Sequence, residues 1–229
     1  MWMASATVAS QYMFRGLRYG GPSLQPMIEY DRGNLSTGVW ASTPLANKVP
    51  GQSDPEIDPF VSYKVPLNEA LSVQPGATVY LFPRAEPDMG FYRATFEPSV
   101  ALNYTYRGVT VTPKLYYDVV LRGPTYEMNA SYALPVKEIG SELDFYASIG
   151  AYDWNAGIAR TTPRTEMRGN YWNASVSLPF QISANSKITA SLGYARGLDS
   201  TMRQSGMPTM DNAQAVGRVV GTLGYTVMF

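Results

Sequence analysis

The chain has no histidine and no cysteine, which removes the usual base of nucleophilic hydrolases, every thiolate metal ligand and any disulfide. Acid–base chemistry is left to carboxylates, and Glu142 with Asp144 is the pair whose spacing invites it. On an extended strand, residues at i and i+2 point to one face, which is the geometry a shared proton-transfer task requires. The same spacing is what any strand with one polar face produces, so the pair reads as wall charge rather than as catalyst. No enzyme activity, cofactor or metal site is therefore expected. Further charges recur on such faces: Arg15, Glu29, Asp58, Lys64, Arg93, Glu97, Lys114, Asp118, Glu127, Lys187 and Arg218. What they do depends on what those faces look at.

Composition narrows the setting. Charged residues make up 16% of the 229, against about 25% in ordinary soluble domains, and tyrosine is abundant. A formal net charge of zero argues against a nucleic-acid binder. No run approaches the roughly 18 to 20 apolar residues of a membrane helix. Met1-Trp2-Met3 passes directly into an alternating segment, so the chain reads as the mature part of an exported protein, without its leader.

Twelve alternating segments can be marked. The first, 3–14, sets Ala4, Ala6, Val8, Tyr12 and Phe14 opposite Ser5, Thr7, Gln11 and Arg15, and 16–21 follows as a loop. Segments 23–31 and 35–43 flank the tight turn Arg32-Gly33-Asn34. Segments 56–65 and 71–81 flank Asn68-Glu69, and segments 92–106 and 109–122 flank Arg107-Gly108. Next come 125–134 and 142–151 around a turn at 137–140, then 170–180 and 187–196 around 183–185. The last, 214–229, alternates Ala215, Gly217, Val219, Gly221, Leu223, Tyr225, Val227 and Phe229 against a set carrying Arg218, Thr222 and Thr226.

Connections near 33, 68, 107, 138 and 184 are short, while those near 18, 50, 87, 162 and 205 are longer, with Arg122-Gly123-Pro124 the exception. An even strand number with that alternation predicts a single domain over 1–229: an all-β, membrane-spanning, antiparallel up-and-down barrel, its short turns and termini periplasmic. A soluble sandwich explains polar faces equally well, but not the loop alternation together with a terminal Phe229. In a barrel the charge-free face meets lipid and the polar face the lumen, and closure leaves no open edge in hydrocarbon. Tyr30, Tyr63, Tyr104, Tyr106, Tyr132, Tyr225 and Phe229 fall outward near the short turns, as an interfacial girdle does. Pro26, Pro59, Pro75, Pro98 and Pro113 sit inside strands, where a missing N–H breaks a ladder bond, and are expected to mark bulges.

The end of the chain, Tyr225 to Phe229, resembles the closing strand of bacterial outer-membrane barrels, which implies an assembly signal read by the barrel-assembly machinery and a location in the outer membrane. Near the start, Ser10-Gln11-Tyr12-Met13-Phe14-Arg15-Gly16-Leu17, Gln25-Pro26 and Gly38-Val39-Trp40-Ala41-Ser42 resemble the N-terminal signature of the Gcw_chp family of conserved hypothetical Gram-negative proteins. That family has no settled activity, so the resemblance implies location and fold only.

The leading functional expectation is a passive channel for small solutes with a mixed-charge lumen, wider than the filled interior of about eight strands and narrower than porins of 16 to 18. The alternative is a non-conducting structural or partner-binding barrel in an envelope complex, in which Arg160, Arg164, Arg168 and Arg203 of the long loops meet lipopolysaccharide phosphates or a protein. Membrane lipid is the surrounding partner in either case. Arg15 is expected to point inward and pair with Glu29 or Asp31, Arg218 to lie near it, and Trp40 to fill space on the lumen face.

Overall fold

The computed structural model describes residues 1–48, 54–85, 92–155 and 165–229. Period-two alternation becomes a closed wall of twelve antiparallel strands. In chain order they are β1 (Trp2–Ala9), β2 (Ser23–Arg32), β3 (Leu35–Pro44), β4 (Glu56–Tyr63), β5 (Leu71–Leu81) and β6 (Ala94–Tyr106). The ring continues with β7 (Val109–Asp118), β8 (Gly123–Val136), β9 (Ser141–Trp154), β10 (Thr165–Ser183), β11 (Ser186–Gln204) and β12 (Gly217–Met228). Each strand pairs with the next, and β1 closes on β12 from Met3↔Met228 to Ala9↔Thr222. Trp2 and Phe229 exchange both backbone hydrogen bonds, at 2.9 and 3.0 Å, so the terminal residue is part of the closing ladder.

Polarity is inverted relative to a soluble fold. Ile149, Val219 and Leu192 on the outer face are 62%, 61% and 59% exposed, while Glu56, Asp58, Glu97, Ser42 and Thr125 on the inner face are buried. Such an apolar outer band is stable only against lipid. At the short-turn end Tyr63, Tyr104, Tyr106, Tyr132, Tyr225 and Phe229 stand exposed, and the Trp2 and Tyr30 rings lie 4.7 Å apart. Among the described residues no helix is long and apolar enough to cross a membrane.

The wall departs from the sequence expectation in three places. First, β1 ends at Ala9, not Phe14. Ser10 still bonds Gly221, and the chain then turns inward as a separate hairpin, Tyr12–Phe14 against Leu17–Gly20. Its turn is set by Arg15 (φ 50°) and Gly16 (φ 76°), two consecutive left-handed residues of the kind tight hairpins require. Second, β10 and β11 each run 19 residues, so 165–169 and 197–204, expected as loop, are strand. Strands of that length extend past the roughly 9 to 11 residues a bilayer needs.

Third, the prolines are not bulges. The β2–β3 ladder pairs Leu24 with Thr43 and Met27 with Trp40, omitting Pro26. The β4–β5 ladder omits Pro59 between Ile57↔Leu81 and Phe60↔Thr78, and β6–β7 omits Pro113 between Val111↔Tyr104 and Lys114↔Ala101. Pro75 stands in the open stretch between Ser62↔Gly76 and Val65↔Val73, and the β6–β7 ladder ends at Tyr116↔Ser99, just before Pro98. Each gap skips equal numbers of residues on both strands, so register survives. The wall's register shifts lie instead in the β10–β11 seam.

Candidate functional site: hairpin and lumen

β1, β2 and the long external ends of β9 to β11 carry the inner hairpin into the external half of the barrel. There its side chains reach walls on every side. The Tyr12 ring lies 5.6 Å from Trp40 of β3, and its hydroxyl donates to Glu56 of β4 at 2.8 Å. Phe14 approaches Tyr80 of β5 at 5.9 Å. Arg15 crosses to β6 and donates two bonds to Glu97, both at 2.7 Å, with its guanidinium 4.5 Å from the Tyr116 ring of β7. A Cβ on Gly16 would sit 2.7 Å from Tyr171 of β10 and 2.6 Å from the Gly197 Cα of β11, so glycine is required by contact as well as by φ. Leu17, 1% exposed, packs with Tyr152, Trp154, Met167 and Tyr171. Leu17 also bridges Ala215, and the Arg18 amide donates to the Gln214 carbonyl at 2.9 Å.

The hydrophobic core of this barrel is thus inside its lumen, between hairpin and wall. Several polar groups around it are paired with one another. Glu97 also accepts from Tyr80 at 2.9 Å, and Glu127 accepts from Tyr116 at 3.1 Å and Tyr171 at 2.7 Å. Tyr152 stacks on Trp154 at 4.4 Å and hydrogen-bonds Ser200 at 2.7 Å. A bidentate arginine–carboxylate pair with 5% and 2% side-chain exposure fixes orientation strongly, because either partner alone would be an uncompensated buried charge.

Below the hairpin the lumen changes character. A cavity of about 240 Å³ is lined by small hydroxyl and amide residues, including Ser62, Gln74, Ser99, Asn103 and Thr112, with Lys114 at its upper edge. These bond one another: Gln74 donates to Ser62 at 2.9 Å and Thr112 to Asn103 at 3.0 Å. A second cavity of about 360 Å³ adjoins it on the β10–β12 side, under Tyr12 and Arg15, among Asn173, Ser191 and Thr222. Tyr146 lines both and, although inward, is 38% exposed, as a side chain standing in solvent would be.

The charged residues singled out from sequence separate into groups. Arg15, Glu97, Asp58, Glu127 and Lys114 belong to the external and middle lumen. Arg15 is there on the hairpin turn rather than on the wall, and it pairs with neither Glu29 nor Asp31; Glu29 takes the Ser36 hydroxyl instead. Arg218, exposed, donates to the Gly217 carbonyl and does not meet Arg15. Asp118 is buried at the end of β7, where it caps the Val120 and Leu121 amides at 2.8 and 2.7 Å. Arg93 lies before β6, exposed, donating to the Ala85 carbonyl. Lys64 lies just past β4, exposed at the periplasmic rim, its amide on the Asn34 carbonyl. Glu142, Asp144 and Lys187 lie near the periplasmic ends of β9 and β11, Asp144 opposite Ser177 and Lys187 opposite Thr226. Tyr225 and Phe229 point outward, 47% and 65% exposed.

Of the loop arginines, Arg168 pairs with Asp153 at 3.1 Å and Arg203 lies opposite Glu166, while 160 and 164 fall outside the described residues. The aromatic layer of Tyr152, Trp154 and Tyr171 went unread in the sequence, although all three occupy positions on the polar register of their strands. Large aromatics on a lumen face are the signal that something packs against them.

No protein-family model and no curated protein matches the sequence, so the Gcw_chp likeness rests on the residues that carry it. Solved structures do match in fold. The NanC porin superposes with a TM-score of 0.59 at 11% identity, covering 99% of this chain and 100% of that one. The KdgM porin gives 0.61 at 9% identity, covering 99% of each chain. A second KdgM structure, in complex with disordered oligogalacturonate, gives 0.56 at 10% identity over 99% of each. At such identities the likeness establishes the closed porin-like barrel of twelve strands.

Proposed function

We propose that this chain is an outer-membrane channel for small polar solutes that are neutral or cationic, narrowed on its external side by the inner hairpin. The observation that carries the reading is the lower lumen, whose wall of hydroxyls and amides with a solvent-exposed Tyr146 is what a water-filled path has and a packed interior lacks. The apolar outer band and aromatic girdle support the membrane location.

Solute charge follows from the upper lumen. Without a divalent cation on Glu56 and Asp58, the carboxylates Glu56, Asp58, Glu97 and Glu127 outnumber Arg15 and Lys114 there, an excess that disfavours a polyanion such as the oligogalacturonate of the KdgM complex. Planar-bilayer recording under a salt gradient in chelator-containing buffer tests this: discrete conductance with a reversal potential on the cation side is expected. Silence at all voltages, from both the native chain and a chain lacking the hairpin, overturns it.

A second reading is favoured by the hairpin itself. Contacts from Tyr12 to Gly20 reach strands all round the lumen, as a plug would, and this suits a non-conducting structural barrel. A silent native protein whose hairpin-deleted form conducts would support that reading.

A further inference from the structure

The acidic residues of the external lumen are not equally provided for. Glu97 has Arg15 and Tyr80, and Glu127 has Tyr116 and Tyr171. On β4, Glu56 receives one bond, from Tyr12. Asp58, 6% exposed, has an Oδ1 that is buried and unpartnered. Ser42 on β3 is 3% exposed, and its Oγ is likewise buried and unpartnered. Burying a polar oxygen without a partner costs about 1 to 3 kcal/mol, and more for a charge, so two such atoms at one place call for a ligand.

They are at one place. Ser42 is directly opposite Glu56 in the β3–β4 ladder, and Asp58 lies two residues on, opposite Trp40, all facing inward. Directly opposed residues hold their Cβ atoms about 4.5 to 5.5 Å apart, and diagonal ones about 7 to 8 Å. Carboxylate and hydroxyl arms reaching into that space bring oxygens to the opposite sides of an ion bound at about 2.0 to 2.6 Å. Among the described residues the two carboxylates have no ion-pair cation: Arg15 is committed to Glu97, and the remaining pairs are Lys48–Asp54 and Arg168–Asp153.

We infer that Glu56, Asp58 and Ser42 form a binding site for a hard divalent cation of the calcium or magnesium class. Every donor is oxygen, two carry charge, and none is soft, which selects such ions over thiolate- or imidazole-seeking metals. No three acidic side chains converge among the described residues, so water completes the shell, as both ions allow. Because the Tyr12 hydroxyl bonds Glu56, the cation shares a ligand with the hairpin and holds its first strand against β4.

The test uses the full chain refolded in detergent, with folding checked by heat-modifiable gel migration. Terbium luminescence excited through the aromatic side chains should rise saturably and be displaced by calcium chloride. Trp40→Phe should lower its intensity without changing affinity, which locates the ion. Asp58→Asn should weaken binding at least about tenfold and Ser42→Ala by a smaller factor, while Asp144→Asn at the periplasmic end leaves it unchanged. If Asp58→Asn fails to fold, Ser42→Ala decides, since it removes only a neutral hydroxyl. Absence of a saturable signal, or affinity unaltered in every β3–β4 variant that folds, overturns the site. None of these readouts depends on whether the barrel conducts.

Discussion

The two halves of the lumen use opposite solutions to one problem. A ring of twelve strands is wider inside than its own side chains can fill. In the external half, a folded-in hairpin and large wall aromatics fill the space and leave Leu17, Met167 and Tyr171 almost fully buried. In the periplasmic half, small hydroxyl and amide residues leave it open and Tyr146 stands exposed. The wall is continuous through both. The filling of the external half is therefore shared between a removable segment and the wall's own aromatics, and the lower half shows the wall where neither is present.

Removing that segment is the strongest way to break the contrast. Replacing residues 11–20 by a short flexible linker should raise single-channel conductance several-fold in planar bilayers, while the wall strands still close through β1 and β12. An unchanged conductance would mean that the hairpin is not what narrows the path. A smaller perturbation acts on the pin. Arg15→Ala leaves Glu97 buried without its partner and should loosen the docked hairpin by about 3 to 5 kcal/mol, read as protease sensitivity within 10–21 and as bursts of higher conductance. Adding Glu97→Gln to that variant removes the orphan charge and should recover part of the loss. No recovery would show that packing, not charge pairing, holds the hairpin.

What the sequence made legible is the wall, because a period of two and turn chemistry are local signals that lipid on one side enforces strand by strand. The hairpin escaped for the same reason. Tyr12 and Phe14 continue the alternation of Ala4, Ala6 and Val8, so periodicity cannot say that the chain has left the sheet after Ala9. A local sign was nevertheless there: Arg15-Gly16 repeats the chemistry of the Arg107-Gly108 turn, and all four residues have positive φ. The partner of Arg15 was beyond reach, since sequence register relates only neighbouring strands and Glu97 lies across the lumen on β6. The prolines misled through a sound rule. A lost N–H need not shift register, because the outward ring occupies a lipid-facing position while the strand runs on and the opposed residues go unpaired.

The hairpin turn offers a milder probe than its pin. Gly16→Ala meets both the left-handed φ and the closeness of Gly197 and Tyr171. The left-handed φ alone costs roughly 1 to 3 kcal/mol, less than losing Arg15, and the contact with Gly197 and Tyr171 is relieved when the hairpin backs off the wall, so the cost falls on docking. Protease sensitivity of the hairpin should rise without a change in heat-modifiable migration of the barrel. If migration changes as well, hairpin and wall fold as one unit and the two halves are not separable.

The smallest effect is expected where the halves meet. Lys114 lies at the top of the open cavity, its ammonium 4.6 Å from the Tyr116 ring that also carries Arg15. Unlike Arg15 it is in no ion pair among the described residues, and so its charge stands unneutralised in the lumen. Lys114→Ala subtracts one positive charge from a region already rich in carboxylate, without removing any hydrogen bond of the hairpin. Conductance should change little, because the alanine widens a part of the lumen that is already open. The reversal potential should move further toward the cation side, and the shift should shrink as salt is raised, because charges more than about 8 to 10 Å from a solute are screened near physiological ionic strength. A shift toward the anion side would contradict the carboxylate-rich lumen, and a rise in conductance as large as that of the hairpin-deleted chain would place the constriction at Lys114 and not at the hairpin.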